Sequence, residues 1–451
     1  MFAVYRASFS VYFLNEDFTW LRDCRFTPST GVWRLLTRDV IGGTYSWRPV
    51  LQLSFAVNHA LWGVNPVGYR LVALAWHAAA VCILYAIAAP ATGRWRAAGA
   101  ATVFAVHPLQ VESVSWTCVQ GSLMTTVFVL MAVYAFLRWR APGGGALWVA
   151  IPFALALAAQ ENAVVLPALV ATADVLLPRG AVRRRRRLAV YASLIGVLVA
   201  FFWARRAASP AQLDFTMVGL DPRWPMTANG LLRFLIAKAR LTSALLLTLD
   251  PASAGVWPVA GAFAVAVLLA WRHGFPVGLW GLLWVGVAVA PFSLLLLGPA
   301  ARHLHLATAG FALVGAETVG LLHRYLARWD RRIAAVAVAI VTAAWLVRTV
   351  HRIDMEESAF VTRGNLTRTF LIDLLHALPH PDTGSTLVFH GMGELRARQN
   401  VFVYGLEDAV RFFYRDDSLH VEFRRLEPVH DSAYHLWYHD GRLGMLPAER
   451  K

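Results

Sequence analysis

The chain has 451 residues, of which 58% are hydrophobic and only 15% are charged, a composition typical of a polytopic membrane protein. Its formal net charge of +15 would suit nucleic-acid binding, but the basic residues fall mainly in short loops between apolar segments, as membrane topology requires. The three cysteines, Cys24, Cys82 and Cys118, are too few and too scattered for a disulfide framework, and they form no CxxC pair. We therefore expect a protein embedded in the lipid bilayer, with no nucleic-acid partner.

The first informative feature in chain order is the pair Glu16 and Asp17, two adjacent carboxylates that precede a long run of apolar segments. Charges at the edge of a membrane are costly and usually functional. A plain structural role stays open, because these acids would also suit a solvated loop or the cap of the next helix. The residues before them, Met1 to Leu14, are interrupted by Arg6 and are too short to cross a bilayer.

The apolar segments that follow predict an all-α bundle of about ten to eleven transmembrane helices. Several of them are shorter than the roughly 20 residues that a crossing needs, so we expect their boundaries to shift. They are residues 67–90, 97–107, 113–137, 146–159, 163–177, 188–204, 256–271, 275–297, 305–322 and 333–350.

The distribution of arginine predicts the orientation. Arginines accumulate in alternate short loops, which should therefore be cytoplasmic, whereas the opposite turns near residues 107–113 and 160–162 carry acids and neither Lys nor Arg. Residues 15–65 form a first outer loop and residues 205–255 a second one. The amphipathic stretch 231–249 in the second loop is expected to lie in the membrane interface rather than to cross.

Beyond the membrane domain, residues 1–350, the composition becomes that of a soluble domain. Residues 351–384 are predicted to form a helical linker, and residues 385–451 a small α/β domain outside the membrane. Its predicted elements are strands at 385–390 and 419–423 and a helix at 405–414. The run from His390 to Gly393 lacks the third glycine of a nucleotide-binding turn, so we do not assign it that role.

More polar residues recur on the predicted outer face, namely His107, Glu112, Glu161, Arg302 and His303. Glu161 lies beside an apolar run, where a lone carboxylate is costly and suggests function. A helix end at His107 with an ion pair at Glu112 explains those two residues equally well. No HExxH or similar spacing involves His303, so a metal remains undecided.

These residues belong to an ordered set of segments that resembles the C-type (GT-C) glycosyltransferase superfamily, in its protein O-mannosyltransferase-like and arabinosyltransferase-like branch. The resemblance covers about residues 10–350. It implies an enzyme that moves a sugar from a polyprenyl-phosphate donor to a hydroxyl at the outer membrane face, with an essential carboxylate in the first outer loop. The segments are FLNEDFTWL (13–21), WRP (47–49), LWGVNP (61–66), HPLQVESVSW (107–116), ENAVVLP (161–167) and RHLHLATAGF (302–311), together with His77.

The expected chemistry assigns roles to some of these side chains. A base must accept the proton of the incoming hydroxyl, while the departing phosphate needs cations. Glu16 holds the position of the family's base, where aspartate is more usual, so the base is either Glu16 or Asp17. Arg302 and Arg48 are the predicted phosphate ligands. A divalent cation is possible, and the acceptor is a protein, a lipid or a glycan.

Some features depart from the family pattern and keep rival functions open. Relatives carry a complete transmembrane helix before the acidic loop, so we expect that the given chain starts late. The family's acid and tyrosines around Arg302 are replaced by Ala301, His303 and His305. A transporter or flippase of a lipid-linked solute and an inactive scaffold are the alternatives. Frequent Ala and Arg suggest a bacterial inner membrane with the site and the C-terminal domain in the periplasm.

Overall fold

The computed structural model describes residues 1–27, 31–39, 47–139, 145–177, 184–209, 276–293, 300–423 and 433–445, with isolated residues between 242 and 272. Most of the predicted outer loop 205–255, its interface helix 231–249 and the predicted span 256–271 lie outside the described residues. Within the described part the chain is mainly helical, and its four strands are confined to the C-terminal region.

Fifteen α-helices follow one another in the described residues, with short 3-10 turns at Arg6–Ser10, Thr117–Val119, Glu161–Val165 and Ala301–Leu304. The α-helices are α1 (Asp17–Asp23), α2 (Val32–Thr37), α3 (Pro49–Trp62), α4 (Pro66–Thr92), α5 (Arg94–Ala105), α6 (Gln110–Ser115), α7 (Gln120–Trp139), α8 (Leu147–Ala159), α9 (Leu166–Leu176), α10 (Arg184–Ala208), α11 (Pro276–Ser293), α12 (His305–Leu326), α13 (Arg331–Ala377), α14 (Gly393–Ala397) and α15 (Leu406–Tyr414).

Five helical stretches in the described residues are long and apolar enough to cross a membrane, and two shorter helices are also apolar. The polytopic all-α prediction is therefore confirmed. The five stretches are Pro66–Thr92, Thr117–Arg138, Arg185–Ala208, Ala301–Leu326 and Arg331–Ala377, and the shorter helices are Leu147–Ala159 and Pro276–Phe292.

Local sequence explains where the main helices begin. Asn65 caps α4 by accepting a hydrogen bond from the Val67 N–H at 3.1 Å, and Pro66 occupies the first helical position. Asp330 caps α13 in the same way, accepting from the backbone N–H groups of Arg332 and Ile333. These caps satisfy backbone donors that a helix start leaves without partners.

The helices pack around α7, whose most apolar stretch is 83% buried inside the protein, whereas that of α13 is only 11% buried. An apolar helix that is exposed to this degree suits contact with lipid. Helices α11 and α12 approach closely at Gly281 and Gly310, where an added Cβ would lie 2.6 Å or less from the facing backbone oxygen. Small residues at such crossings allow membrane helices to pack tightly.

Helix α13 is the longest element, with 47 residues and a length of about 70 Å. The predicted last span and the predicted linker form this one continuous helix. Its buried Glu357 accepts hydrogen bonds from the backbone N–H groups of Ala7 and Ser8 at 3.3 and 3.2 Å. Helix α13 therefore connects the membrane domain, the N-terminal segment and the C-terminal domain.

The C-terminal domain contains a four-stranded sheet in the order β2-β1-β3-β4. Strand β1 (Thr386–His390) runs parallel to β2 (His420–Phe423) and to β3 (Tyr434–His439), and β4 (Arg442–Met445) is antiparallel to β3. This arrangement confirms the small α/β domain, although β3 and β4 were not predicted. The domain packs on α1, with the ring of Phe18 stacked 6.0 Å from that of Phe402.

Candidate active site

Glu16 lies at the junction of two cavities on the side of the membrane domain that the C-terminal domain covers. The first cavity has a volume of about 1020 Å³ and the second about 530 Å³. Glu16, Trp116, Arg302 and Tyr404 line both. Two ligands, one bound in each cavity, would therefore meet beside the Glu16 carboxylate.

Asp17 is fully buried, and both of its carboxylate oxygens accept backbone hydrogen bonds. Oδ2 accepts from the Leu14 N–H at 3.0 Å and Oδ1 from the Cys118 N–H at 2.6 Å. Burial raises the pKa of Asp17 to about 6, although the charge of Arg70 and the two hydrogen bonds act in the opposite direction. These bonds fix the start of α1 against the segment that leads into α7.

Arg70 is a buried cation that the sequence did not identify as part of this region. It donates to the Thr117 hydroxyl at 2.5 Å and to the carbonyls of Val11 and Tyr12 at 3.5 Å. Its position within the apolar stretch 67–90 gave no sign that it compensates the charge of a buried aspartate. Such compensation lowers the energetic cost of ionising Asp17 in the interior.

Glu16 differs from its neighbour. Its side chain is only partly buried, and its buried Oε2 has no hydrogen-bond partner in the described part of the chain. Burial raises the pKa of Glu16, while its own backbone N–H and the positive charge of Arg302 act to lower it. Glu16 is therefore the member of the pair that lines the cavities and has a carboxylate oxygen without a partner among the described residues.

Arg302 and Glu112, predicted separately, form one unit. The Arg302 Nη1 donates to Glu112 Oε1 at 2.7 Å, and the Arg302 backbone N–H donates to Oε2 at 2.8 Å. The guanidinium also lies 5.6 Å from the ring centre of Trp116. These contacts hold Arg302 beside both cavities and, among the described residues, engage only one of its guanidinium nitrogens in hydrogen bonding.

Arg48 and Glu161 also form a pair, although 113 residues separate them. Two parallel hydrogen bonds join the guanidinium to the carboxylate, at 2.9 and 2.7 Å. Burial alone would raise the pKa of Glu161, but the charge and the hydrogen bonds of Arg48 lower it to about 2. Arg48 lines the first cavity and is held there at the start of α3.

The two predicted histidines occupy different environments. His303 lines the first cavity, its ring stacks 4.3 Å from that of Phe292, and its Nδ1 accepts from the Ala300 N–H at 3.1 Å. His107 is fully buried, with Nε2 bonded to the Leu246 carbonyl at 2.8 Å, and lines neither cavity. The prediction of a helix end fits His107 better than direct contact with a ligand does.

The C-terminal domain contributes residues that no sequence pattern indicated. Asp408 pairs with Arg22 at 2.5 Å and accepts from the Thr19 hydroxyl at 2.5 Å, so that it joins α15 to α1. Tyr404 lines both cavities and is 61% exposed. Among the described residues, no group of three His, Cys, Asp or Glu side chains is placed to hold a metal ion.

Comparison with known proteins gives sequence relatives that are all described as protein O-mannosyl-transferases. Tmtc1 of Drosophila melanogaster is 32% identical over 185 residues, which are 39% of this chain and 21% of that protein. TMTC3 of Homo sapiens is 26% identical over 165 residues, which are 35% of this chain and 18% of that protein. The chain thus spans about a fifth of the length of these relatives. No family model matches the chain.

The fold matches a solved membrane protein over almost the whole chain. ArnT from Cupriavidus metallidurans in the apo state superposes with a TM-score of 0.54 at 13% identity, covering 95% of this chain and 84% of ArnT. The structure of ArnT bound to undecaprenyl phosphate gives a TM-score of 0.53 at 12% identity over the same shares of both chains. Together these comparisons confirm that the chain resembles the GT-C glycosyltransferase superfamily, in its protein O-mannosyltransferase-like branch.

Proposed function

We propose that the chain is a membrane glycosyltransferase that moves a hexosyl or pentosyl group from a polyprenyl-phosphate donor to a hydroxyl acceptor. The observation that carries this proposal is the buried, unpartnered Oε2 of Glu16 at the junction of two cavities. A base for the reaction must reach the acceptor hydroxyl, and the donor must lie on the opposite side of that hydroxyl. Undecaprenyl phosphate bound to ArnT, which shares the fold, supports a lipid phosphate as the donor group.

In the proposed step the acceptor oxygen attacks the anomeric carbon of the donor sugar. The hydroxyl proton passes to the Glu16 carboxylate, and the bond between the anomeric carbon and the phosphate oxygen breaks. The bonding electrons leave with the polyprenyl phosphate. Arg302 balances the charge that grows on this phosphate, since its guanidinium lies beside Glu16 and has donors that Glu112 does not use.

The first cavity suits the donor. It is the larger of the two, and both predicted phosphate ligands, Arg48 and Arg302, line it together with His303. Glu161 engages Arg48 through Nε and Nη2, so Nη1 is the nitrogen proposed to bind phosphate. The second cavity is then left for the acceptor, with Glu16 beside the point where the two substrates meet.

Asp17 is proposed to position the base rather than to act as the base. Its two oxygens are occupied by backbone donors, and it is fully buried. For the location, we propose a bacterial inner membrane with the site facing the periplasm. The arginines in alternate loops and the frequent Ala and Arg support this choice, although the sequence relatives are eukaryotic.

The test is transfer of labelled sugar from a panel of polyprenyl-phosphate sugars in membranes that contain equal amounts of each variant. Glu16→Gln should lower the transfer rate by at least about 100-fold, the usual contribution of a general base. The control is Glu394→Gln, because the Glu394 side chain is 66% exposed on the C-terminal domain, and it should leave transfer unchanged. Transfer that survives in Glu16→Gln would overturn the proposed role of this residue.

A further inference from the structure

One face of α13 forms a wall of the second cavity. Arg352, Glu356, Phe360 and Arg363 all line it, and their spacing of four, four and three residues places them on the same side of the helix. The helical rise separates Arg352 from Arg363 by about 16 Å along the axis. The wall therefore presents a cation at each end and the Glu356 carboxylate between them.

These two arginines differ from the other cations around the site. Arg302 is paired with Glu112, whereas in the described part of the chain neither Arg352 nor Arg363 forms an ion pair. The Nε of Arg352 is buried without a hydrogen-bond partner, and Arg363 lies 5.3 Å from the ring centre of Phe360. A buried donor without a partner is costly, so this pattern fits a ligand that supplies anionic oxygens.

The length and direction of the wall favour one class of ligand. The apolar sequence of α13 ends near residue 350, so the wall runs outward, away from the bilayer. A lipid phosphate would stay near the headgroups, whereas a span of about 16 Å is close to four to five steps of extended polypeptide at about 3.3 Å per step. Asn400 and Val403 also line this cavity, and their backbone carbonyl and N–H are hydrogen-bonded to the Asn15 side chain.

We propose that the second cavity binds an extended polypeptide acceptor with acidic side chains on both sides of its hydroxyl residue. Arg352 and Arg363 recognise the two acidic side chains and so determine acceptor specificity, while Glu16 meets the hydroxyl between them. The identity of the ligand as an acceptor rests on the proposed glycosyl transfer. The binding preference itself does not depend on it.

The experiment measures binding of fluorescent peptides to the full chain in nanodiscs of neutral phosphatidylcholine, without a sugar donor. One peptide carries a central threonine with aspartates two residues away on each side, and its partner carries asparagines there. The aspartate peptide should bind up to about 25-fold more tightly than the asparagine peptide, because each of its two ion pairs contributes up to about fivefold, the upper range for a partly exposed pair. Arg352→Gln and Arg363→Gln should each reduce this preference by about fivefold. Arg352→Lys should retain part of it.

The control is Arg398→Gln, because the Arg398 side chain is 82% exposed and Arg398 lines neither cavity. Equal affinity for the two peptides, or a preference that neither glutamine variant reduces, would overturn the proposal. Displacement of the peptide by a short-chain polyprenyl phosphate, lost in Arg352→Gln, would instead assign the arginines to a lipid phosphate. Peptide preference without any sugar transfer would contradict only the proposed activity, whereas equal transfer to both peptides would contradict only this inference.

Discussion

Gly405 provides a direct test of whether the C-terminal domain holds the proposed base, Glu16, in place. Its φ is +77°, and an added Cβ would lie 2.3 Å from the carbonyl oxygen of Asn15 and 3.4 Å from the backbone nitrogen of Glu16. An alanine would cost about 1–2 kcal/mol for its backbone conformation alone. The clash is with backbone atoms, so it cannot be relieved by rotating a side chain. We expect Gly405→Ala to push the loop that carries Glu16 away from the domain.

A displacement of the base by about 1 Å can cost about 100-fold in rate, so transfer in Gly405→Ala should fall by about 10- to 100-fold. The assay compares transfer rates and thermal unfolding of purified protein in detergent. Gly393→Ala is the matched control in the same domain, because a Cβ there meets no atom within 4 Å and the residue has no positive φ. If both variants transfer sugar at the same rate, the domain does not position Glu16 and the reasoning fails.

Two further predictions concern titration. Because burial raises the pKa of Glu16 and the base acts when deprotonated, kcat/KM should fall as the pH drops through a value above the ordinary 4.5 of glutamate, which a pH profile of transfer measures. The pKa of Glu161 is lowered from 4.5 to about 2, so its pairing with Arg48 stabilises the fold above pH 4.5 and is lost toward pH 2. Since the Glu161 side chain is 36% exposed, solvent screening reduces the effect, and Glu161→Gln should lower the free energy of unfolding by about 1–2 kcal/mol at pH 7. The difference should shrink at pH 3 in denaturant titrations, and an equal loss at both pH values would contradict the pairing.

The sequence predicted the helices well because hydropathy alone identifies stretches that lipid requires to be helical. The predicted span 67–90 corresponds to Pro66–Thr92, and 146–159 to Leu147–Ala159. The prediction of helices from the sequence failed where hydropathy carries no signal. The predicted span 113–137 is divided by Trp116, whose extended backbone separates α6 from the helix that crosses. The continuity of α13 beyond residue 350 also needed the structure, since its outer half was predicted as a separate helical linker.

The sequence predicted which charged residues belong to the site, but it did not predict which of them form ion pairs with each other. A charge beside an apolar run marked Glu161 and Arg302, because such charges are costly in a membrane. Their partners, Arg48 and Glu112, lie 113 and 190 residues away, and no local spacing could connect them. The proposed choice of Glu16 over Asp17 rests on the hydrogen bonds that Asp17 accepts from the backbone of Leu14 and Cys118, and those contacts are decided by the fold alone.

The structure also explains how the two adjacent carboxylates, Glu16 and Asp17, can have different roles. Asp17 is held by backbone donors and by the nearby charge of Arg70, which together offset part of the cost of its ionisation inside the protein. That anchoring fixes the backbone of its neighbour and leaves the Glu16 carboxylate directed toward the cavities. Asp17 is less suited to meet a substrate hydroxyl, because it is fully buried and lines neither cavity, and its two hydrogen bonds already use part of its acceptor capacity. This division of roles predicts different effects for the two acids. Shortening the proposed base in Glu16→Asp should impair transfer while α1 stays in place. Asp17→Asn, whose amide can accept through only one oxygen, should disturb α1 itself.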